Sequence, residues 1–224
     1  MGDGSEADVA VEPPIVAVVE TPHGPAHAHV HRADGPRGAL VLGHGAGGGV
    51  TARDLVAVTG AALAERVSVA LVEQPYRVAG RRSPAPARQL DVAWIAVVEH
   101  LLADELRGLP PVVGGRSSGA RVACRTAAAT GAVGVLCLAF PLQPPPRAGA
   151  AATPTRLPEL DAVTVPTLVV QGERDRFGLP PATPLRTVVQ VRGDHALRSD
   201  LEGVAAAVRE WLAGLLATGE RFGS

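Results

Sequence analysis

Five short, almost wholly apolar runs constrain this chain most: ALVLG (39–43), SVALVE (68–73), PVVGG (111–115), GVLCLAF (134–140) and TLVVQG (167–172). They are too short for ordinary helices and lack the alternation of a half-wet strand. They read as strands buried on both faces. Helix-length segments lie between them, at about 54–66, at 89–107 and from 118 onward. In the second of these, Trp94, Val98, Leu101 and Leu102 share one face. Strands alternating with helices imply a mostly parallel sheet covered on both sides, with ligands bound beyond the carboxyl ends of its strands.

The flanks complete that pattern. Residues 15–20 and 26–32 read as an opening pair of strands around a turn at 22–25, and 187–192 reads as a last strand. A final helix is expected over 199–217, with Leu201, Val204, Val208, Trp211, Leu212 and Leu215 as its apolar stripe. Residues 74–88 and 141–164 are rich in proline and are expected to be irregular. Residues 1–14 are expected to be a loose tail, and 15–224 one domain.

Several function classes are excluded by residue usage. The net charge is −1, too small for the basic field that nucleic acid demands. All 21 basic residues are Arg; a chain without Lys has neither a phosphate-loop lysine nor a Schiff base. Cys124 and Cys137 are too few for a disulfide framework, and apolar surroundings suggest buried thiols in a reducing cytoplasm. The acidic start carries no signal-peptide pattern, and no apolar run approaches the ~18 residues of a membrane span.

The chemistry concentrates in Gly115-Arg116-Ser117-Ser118-Gly119, which fits G-x-S-x-G. About 0.1 matches to that pattern are expected by chance in this composition, so context must decide. A strand precedes it and a helix-forming run follows. Such a turn strains the central Ser, and residues two positions away must be small to avoid collision. The Ser oxygen then stands at a helix N-terminus, where the dipole and the Ser118 N–H favour negative charge. A Ser nucleophile also needs a base and an orienting acid. His195 is the one His after Ser117, and Asp175 follows the strand at 167–172. Each of the three has a bland reading alone: a glycine turn, a surface His, a solvated carboxylate. Together they fall at strand ends in the order Ser, acid, His.

The glycine run after the third strand, His44-Gly45-Ala46-Gly47-Gly48-Gly49, suits an oxyanion loop, with Ala46 the expected donor beside Ser118. Tyr76, directly after Pro75, is expected in the pocket wall, and His44 beside the substrate. The same glycines satisfy G-x-G-x-x-G, with Glu73 ending the next strand, so a dinucleotide site is the rival. Against it, the helix expected from about Asp54 begins too late for its N-terminus to meet a phosphate. A third reading is a binding module that keeps the triad residues without activity. His27, His29 and His31 share a strand face and could in principle ligate a metal, although a solvated face is the plainer reading. Arg77, Arg81, Arg82 and Arg88 could attract an acidic substrate or simply be solvated.

The segments LVLGHGAGGG, EQPYR, GGRSSGARVA, FPLQPPPR, VVQGERDRFG and GDHAL, spread over about 39–195, resemble the α/β-hydrolase superfamily. The chain is most similar to small lid-less members of the dienelactone-hydrolase-like kind. Among these it resembles the family of a testis-expressed hydrolase-like protein and a subunit of the nonspecific-lethal chromatin complex. That family often has His near the position of Gln143 and a bulky residue near Ser118, and this chain departs at both. The resemblance implies an α/β-hydrolase fold of about seven or eight strands, with Ser117 as nucleophile, Asp175 as acid and His195 as base. The expected activity is hydrolysis of a small ester, thioester or lactone, with no cofactor or metal, acting on a small acyl molecule rather than nucleic acid or membrane.

Overall fold

The computed structural model describes residues 13–144 and 153–219. Nearly all of the expected tail and the middle of the 141–164 segment lie outside those residues. Eight strands form one sheet in the order β1-β2-β4-β3-β5-β6-β7-β8. They are β1 (Ile15–Val19), β2 (Ala26–His31), β3 (Gly38–Gly43), β4 (Val67–Glu73), β5 (Pro111–Arg116), β6 (Gly134–Leu138), β7 (Thr167–Gly172) and β8 (Arg186–Val191). From β4 through β8 all neighbours run parallel, whereas β2 is antiparallel to both β1 and β4. Chain order reverses between β4, β3 and β5, so the loops after β3 and β5 leave the sheet side by side.

The central strands alternate their side chains between two cores. Ala39 and Val41 of β3 enter one, with Trp94, Val98 and Leu101 of α3 (Ala87–Ala103) and Ala120 and Ala123 of α4 (Ser118–Thr126). Leu40 and Leu42 enter the other, with Leu55 and Val58 of α1 (Arg53–Ala64) and Val204, Val208 and Leu212 of α6 (Leu201–Gly219). Burying a Leu side chain in this way stabilises the fold by roughly 1.5–3 kcal/mol. Both tryptophans pack: Trp94 is fully buried, and Trp211 lies half-buried against the α6 core. Cys124 and Cys137 are buried free thiols with sulfurs 3.5 Å apart; that contact and burial push the Cys137 thiol well up.

Two short helices occupy segments expected to be irregular: α2 (Pro75–Val78) and α5 (Leu157–Asp161). Each has a proline in its first turn. There the missing N–H has no helical partner to lose, so a proline that reads as a breaker opens the helix instead. No helix among the described residues is long and apolar enough to cross a membrane.

Candidate active site

The turn from β5 into α4 is shaped by what cannot fit. A Cβ on Gly115 would lie 2.5 Å from the Gly43 carbonyl oxygen, and one on Gly119 would meet the same oxygen. Neither overlap can be relieved by a rotamer, because both involve backbone. The chain therefore turns sharply, and Ser117 takes φ 52° and ψ −104°, a conformation that L side chains rarely adopt. Its N–H donates to Leu138 O at 2.8 Å, which fastens the strained residue to the end of β6.

His195 arrives from the loop after β8. Its Nε2 is 2.9 Å from Ser117 Oγ and its Nδ1 is 2.8 Å from Asp175 Oδ2. A carboxylate only accepts, so the ring proton belongs on Nδ1 and Nε2 is free to accept from the Ser hydroxyl. The Asp175 side chain is 1% exposed, against 22% for His195. Asp175 is held on every side: Gln171 Nε2 donates to Oδ2 at 2.8 Å, and the Phe177 N–H donates to Oδ1 at 2.9 Å. The Phe177 ring packs on the imidazole with centroids 4.4 Å apart. Of the nearby acids, Asp194 is exposed and accepts from the Ala196 N–H at 2.9 Å, and Glu173 is exposed, so only Asp175 meets the ring.

The loop after β3 is locked from beneath. His44 is buried; its Nδ1 donates to Gly45 O at 2.8 Å, and its Nε2 accepts from the Gln74 N–H at 3.2 Å. Burial lowers its pKa, in keeping with a neutral ring. Tyr76 is buried too, its ring edge-on to His44 at 5.8 Å, and its hydroxyl donates to Ala46 O at 3.0 Å. Both side chains thus serve the loop's own backbone. The N–H groups of Ala46 and Ser118, by contrast, carry no hydrogen bond among the described residues.

Besides Phe177, three contributors are not among the residues singled out in the sequence. Arg116, the variable residue of the elbow, places Nε 2.8 Å from Asp54 Oδ2 and donates from Nη2 to His195 O at 3.0 Å. It ties the His loop to α1. Burial pushes the Asp54 carboxyl up and the Arg116 charge opposes this. The third, Gln171, had a readable signal: a polar residue inside an otherwise apolar strand, four positions before Asp175. Arg81, Arg82 and Arg88 are exposed, with no ion pair or hydrogen bond to the Ser117, Asp175 and His195 group. The β2 histidines do not converge either; among the described residues the one metal-capable group is the surface set His100, Asp104 and Glu105.

Solved structures share this fold. An α/β serine hydrolase without a lid from Xanthomonas campestris matches with a TM-score of 0.70 at 17% identity, over 89% of this chain and 93% of that one. Est1E from Butyrivibrio proteoclasticus gives 0.72 at 17% identity, over 90% and 99%. Dienelactone hydrolase from Anabaena variabilis gives 0.70 at 14% identity, over 92% and 97%. Such identities speak for the fold alone, and no curated protein sequence matches the chain. The sequence model described as "Alpha/beta hydrolase domain" matches residues 36–198, which run from the start of β3 past His195. That stretch exceeds half of the chain and holds the elbow, the buried carboxylate and the imidazole, so this chain belongs to the α/β-hydrolase domain family.

Proposed function

We propose that the protein is a serine hydrolase cleaving a small ester, thioester or lactone through an acyl-enzyme, with one catalytic domain over residues 15–224. One observation carries the reading: Asp175, His195 and Ser117 form an unbroken hydrogen-bonded line at 2.8 and 2.9 Å, ending on a strained elbow. Ser117 Oγ attacks the carbonyl carbon while His195 Nε2 takes its proton. Asp175 holds the imidazole in the required tautomer and stabilises its cation. The carbonyl oxygen gains negative charge and turns towards the free N–H groups of Ala46 and Ser118. His195 returns its proton to the leaving group; water, activated by the same ring, then releases the acid.

Tyr76 and His44, first expected to touch substrate, act here by holding the Ala46 loop. The reaction draws on no metal or cofactor, so chelation should leave it intact. Est1E has been seen with ferulic acid, which supports a small carboxylic acyl group as the kind of ligand such a site takes. Placement in the family of the testis-expressed hydrolase-like protein, and in the cytoplasm where adjacent thiols stay reduced, belongs to the same proposal. A dinucleotide site is disfavoured because α1 starts at Arg53, five residues past Gly48, and Glu73 lies 3.8 Å from His27.

The test is labelling with a fluorophosphonate followed by peptide mapping, together with turnover of neutral esters. Label is expected on Ser117. Ser117→Ala should lower kcat by roughly 10³ or more, and Ser118→Ala far less. Undiminished esterase activity in the Ser117 variant ends the reading.

A further inference from the structure

The proposed chemistry uses only Ala46 from the glycine run, leaving Gly47, Gly48 and Gly49 without a role. Close packing does not require them: a Cβ on Gly47 or Gly49 would meet nothing within 4 Å, and neither residue has positive φ. These glycines border a cavity of about 590 Å³, lined also by Arg53, Arg116, Ala196 and Arg198. Arg116 directly precedes Ser117 and Ala196 directly follows His195. The lining therefore includes a chain neighbour of each member of the reacting pair.

Its charge is one-sided. Arg53 and Arg198 are exposed, and neither guanidinium has a partner among the described residues. The single acid in the lining, Asp54, is buried and already engaged: Oδ1 accepts from the Leu55 N–H at 3.0 Å and Oδ2 lies 2.8 Å from Arg116 Nε. Three guanidiniums against one carboxylate leave a surplus of two positive charges. The cavity between α4 and α5 differs, because there Arg125 is matched by Asp91 and Glu159. Arginine forks suit carboxylate and phosphate oxygens, and side-chain-free backbone lets a bulky anion approach closely.

We propose that this cavity is an anion subsite, taking a carboxylate or phosphate group carried by the substrate. The assignment rests on the serine-hydrolase reading and narrows it to acidic esters or thioesters. The anion would be held by this lining, with the scissile carbonyl over Ser117. Arg116 itself joins Asp54 to the His195 loop, so the charges available to the ligand are chiefly Arg53 and Arg198.

The test uses the full chain, as wild type and with Arg53→Gln and Arg198→Gln combined, and two matched pairs of compounds. Mono-4-nitrophenyl glutarate is set against 4-nitrophenyl valerate, and S-butyryl-4′-phosphopantetheine against S-butyryl-pantetheine. At least one anionic member should exceed its neutral partner in kcat/KM by about tenfold, the equivalent of one charge-assisted hydrogen bond. The double variant should bring that ratio to about one, the loss falling on the anionic compound. A carboxylate preference identifies a dicarboxylic half-ester, and a phosphate preference a phosphorylated thioester. Ratios within about twofold in both pairs, or a preference that survives the double variant, overturn the subsite. Fluorophosphonate labelling reads the hydrolase proposal separately: labelled Ser117 without charge discrimination removes the subsite alone. If labelling fails, calorimetric titration with glutarate and inorganic phosphate decides the subsite. Binding weakened about tenfold by the double variant keeps it, and equal binding removes it.

Discussion

The two sides of the site are held by opposite means. Around Ser117 the constraint is exclusion: Gly115 and Gly119 press against the Gly43 carbonyl with no room for a Cβ. Around His195 the constraint is attraction: Gln171, the Phe177 N–H and Arg116 hold Asp175 and the His loop by hydrogen bonds from scattered positions. Exclusion admits no substitute, since any side chain added there strikes a carbonyl. Attraction can be supplied by other donors, and its loss leaves the surrounding fold standing. The first kind of constraint should therefore show itself in stability, the second in turnover.

The largest effect is expected on the hydrogen-bonded side. Asp175→Asn keeps the shape of the side chain but removes the anion, so kcat should fall by about 10²–10⁴ with little change in unfolding midpoint. Glu173→Gln and Asp194→Asn should each lower kcat by less than about tenfold. A silent Asp175→Asn with a crippling Glu173→Gln would reassign the acid. On the excluded side, Gly119→Ala should destabilise the fold by ~3 kcal/mol or more in urea denaturation, besides abolishing turnover. A stable, inactive Gly119→Ala protein would break the comparison, because the elbow would then be yielding.

Smaller changes sharpen it. Gln171→Met removes the donor to Asp175 and leaves Phe140 O and Gly178 O without their shared partner. Turnover should drop by about tenfold and stability by ~1–3 kcal/mol, placing this residue between the two classes. The smallest effect concerns His44, where the Ser117 side does use hydrogen bonds. Its folded pKa is lowered by burial, so on acidification the unfolded chain takes up the proton first. The stability contribution is intact above about pH 6.5 and is lost as pH falls from there towards the folded value, by at most ~1.4 kcal/mol per pH unit. Denaturation midpoints at two pH values on either side of that range should differ less in His44→Gln than in wild type. Equal differences would show that the ring is not kept neutral by the fold.

The elements were largely legible in advance. All eight strands and the four long helices follow from apolar runs and periodicity, which are properties of neighbouring residues. The exceptions, α2 and α5, were hidden because proline reads as a breaker unless its place in the first turn is known. The strained turn around Ser117 was legible because its demands span only five residues.

What the sequence by itself determined is the set of local shapes: buried strands, amphipathic helices, a turn that only glycine can flank, and a Ser, Asp, His order at strand ends. Only the tertiary structure decided the partners. Sheet order puts β3 beside β5, so the Gly43 carbonyl faces Gly115 and Gly119 across more than seventy positions of chain. That adjacency also brings Arg116 to Asp54, the loop after β8 brings it the His195 carbonyl, and β4 beside β3 leaves the His44 ring between two backbone groups. Side-chain type says that Arg116 can donate and His44 can do either. Which group stands within 3 Å is set by how distant strands pair, and no local pattern encodes that.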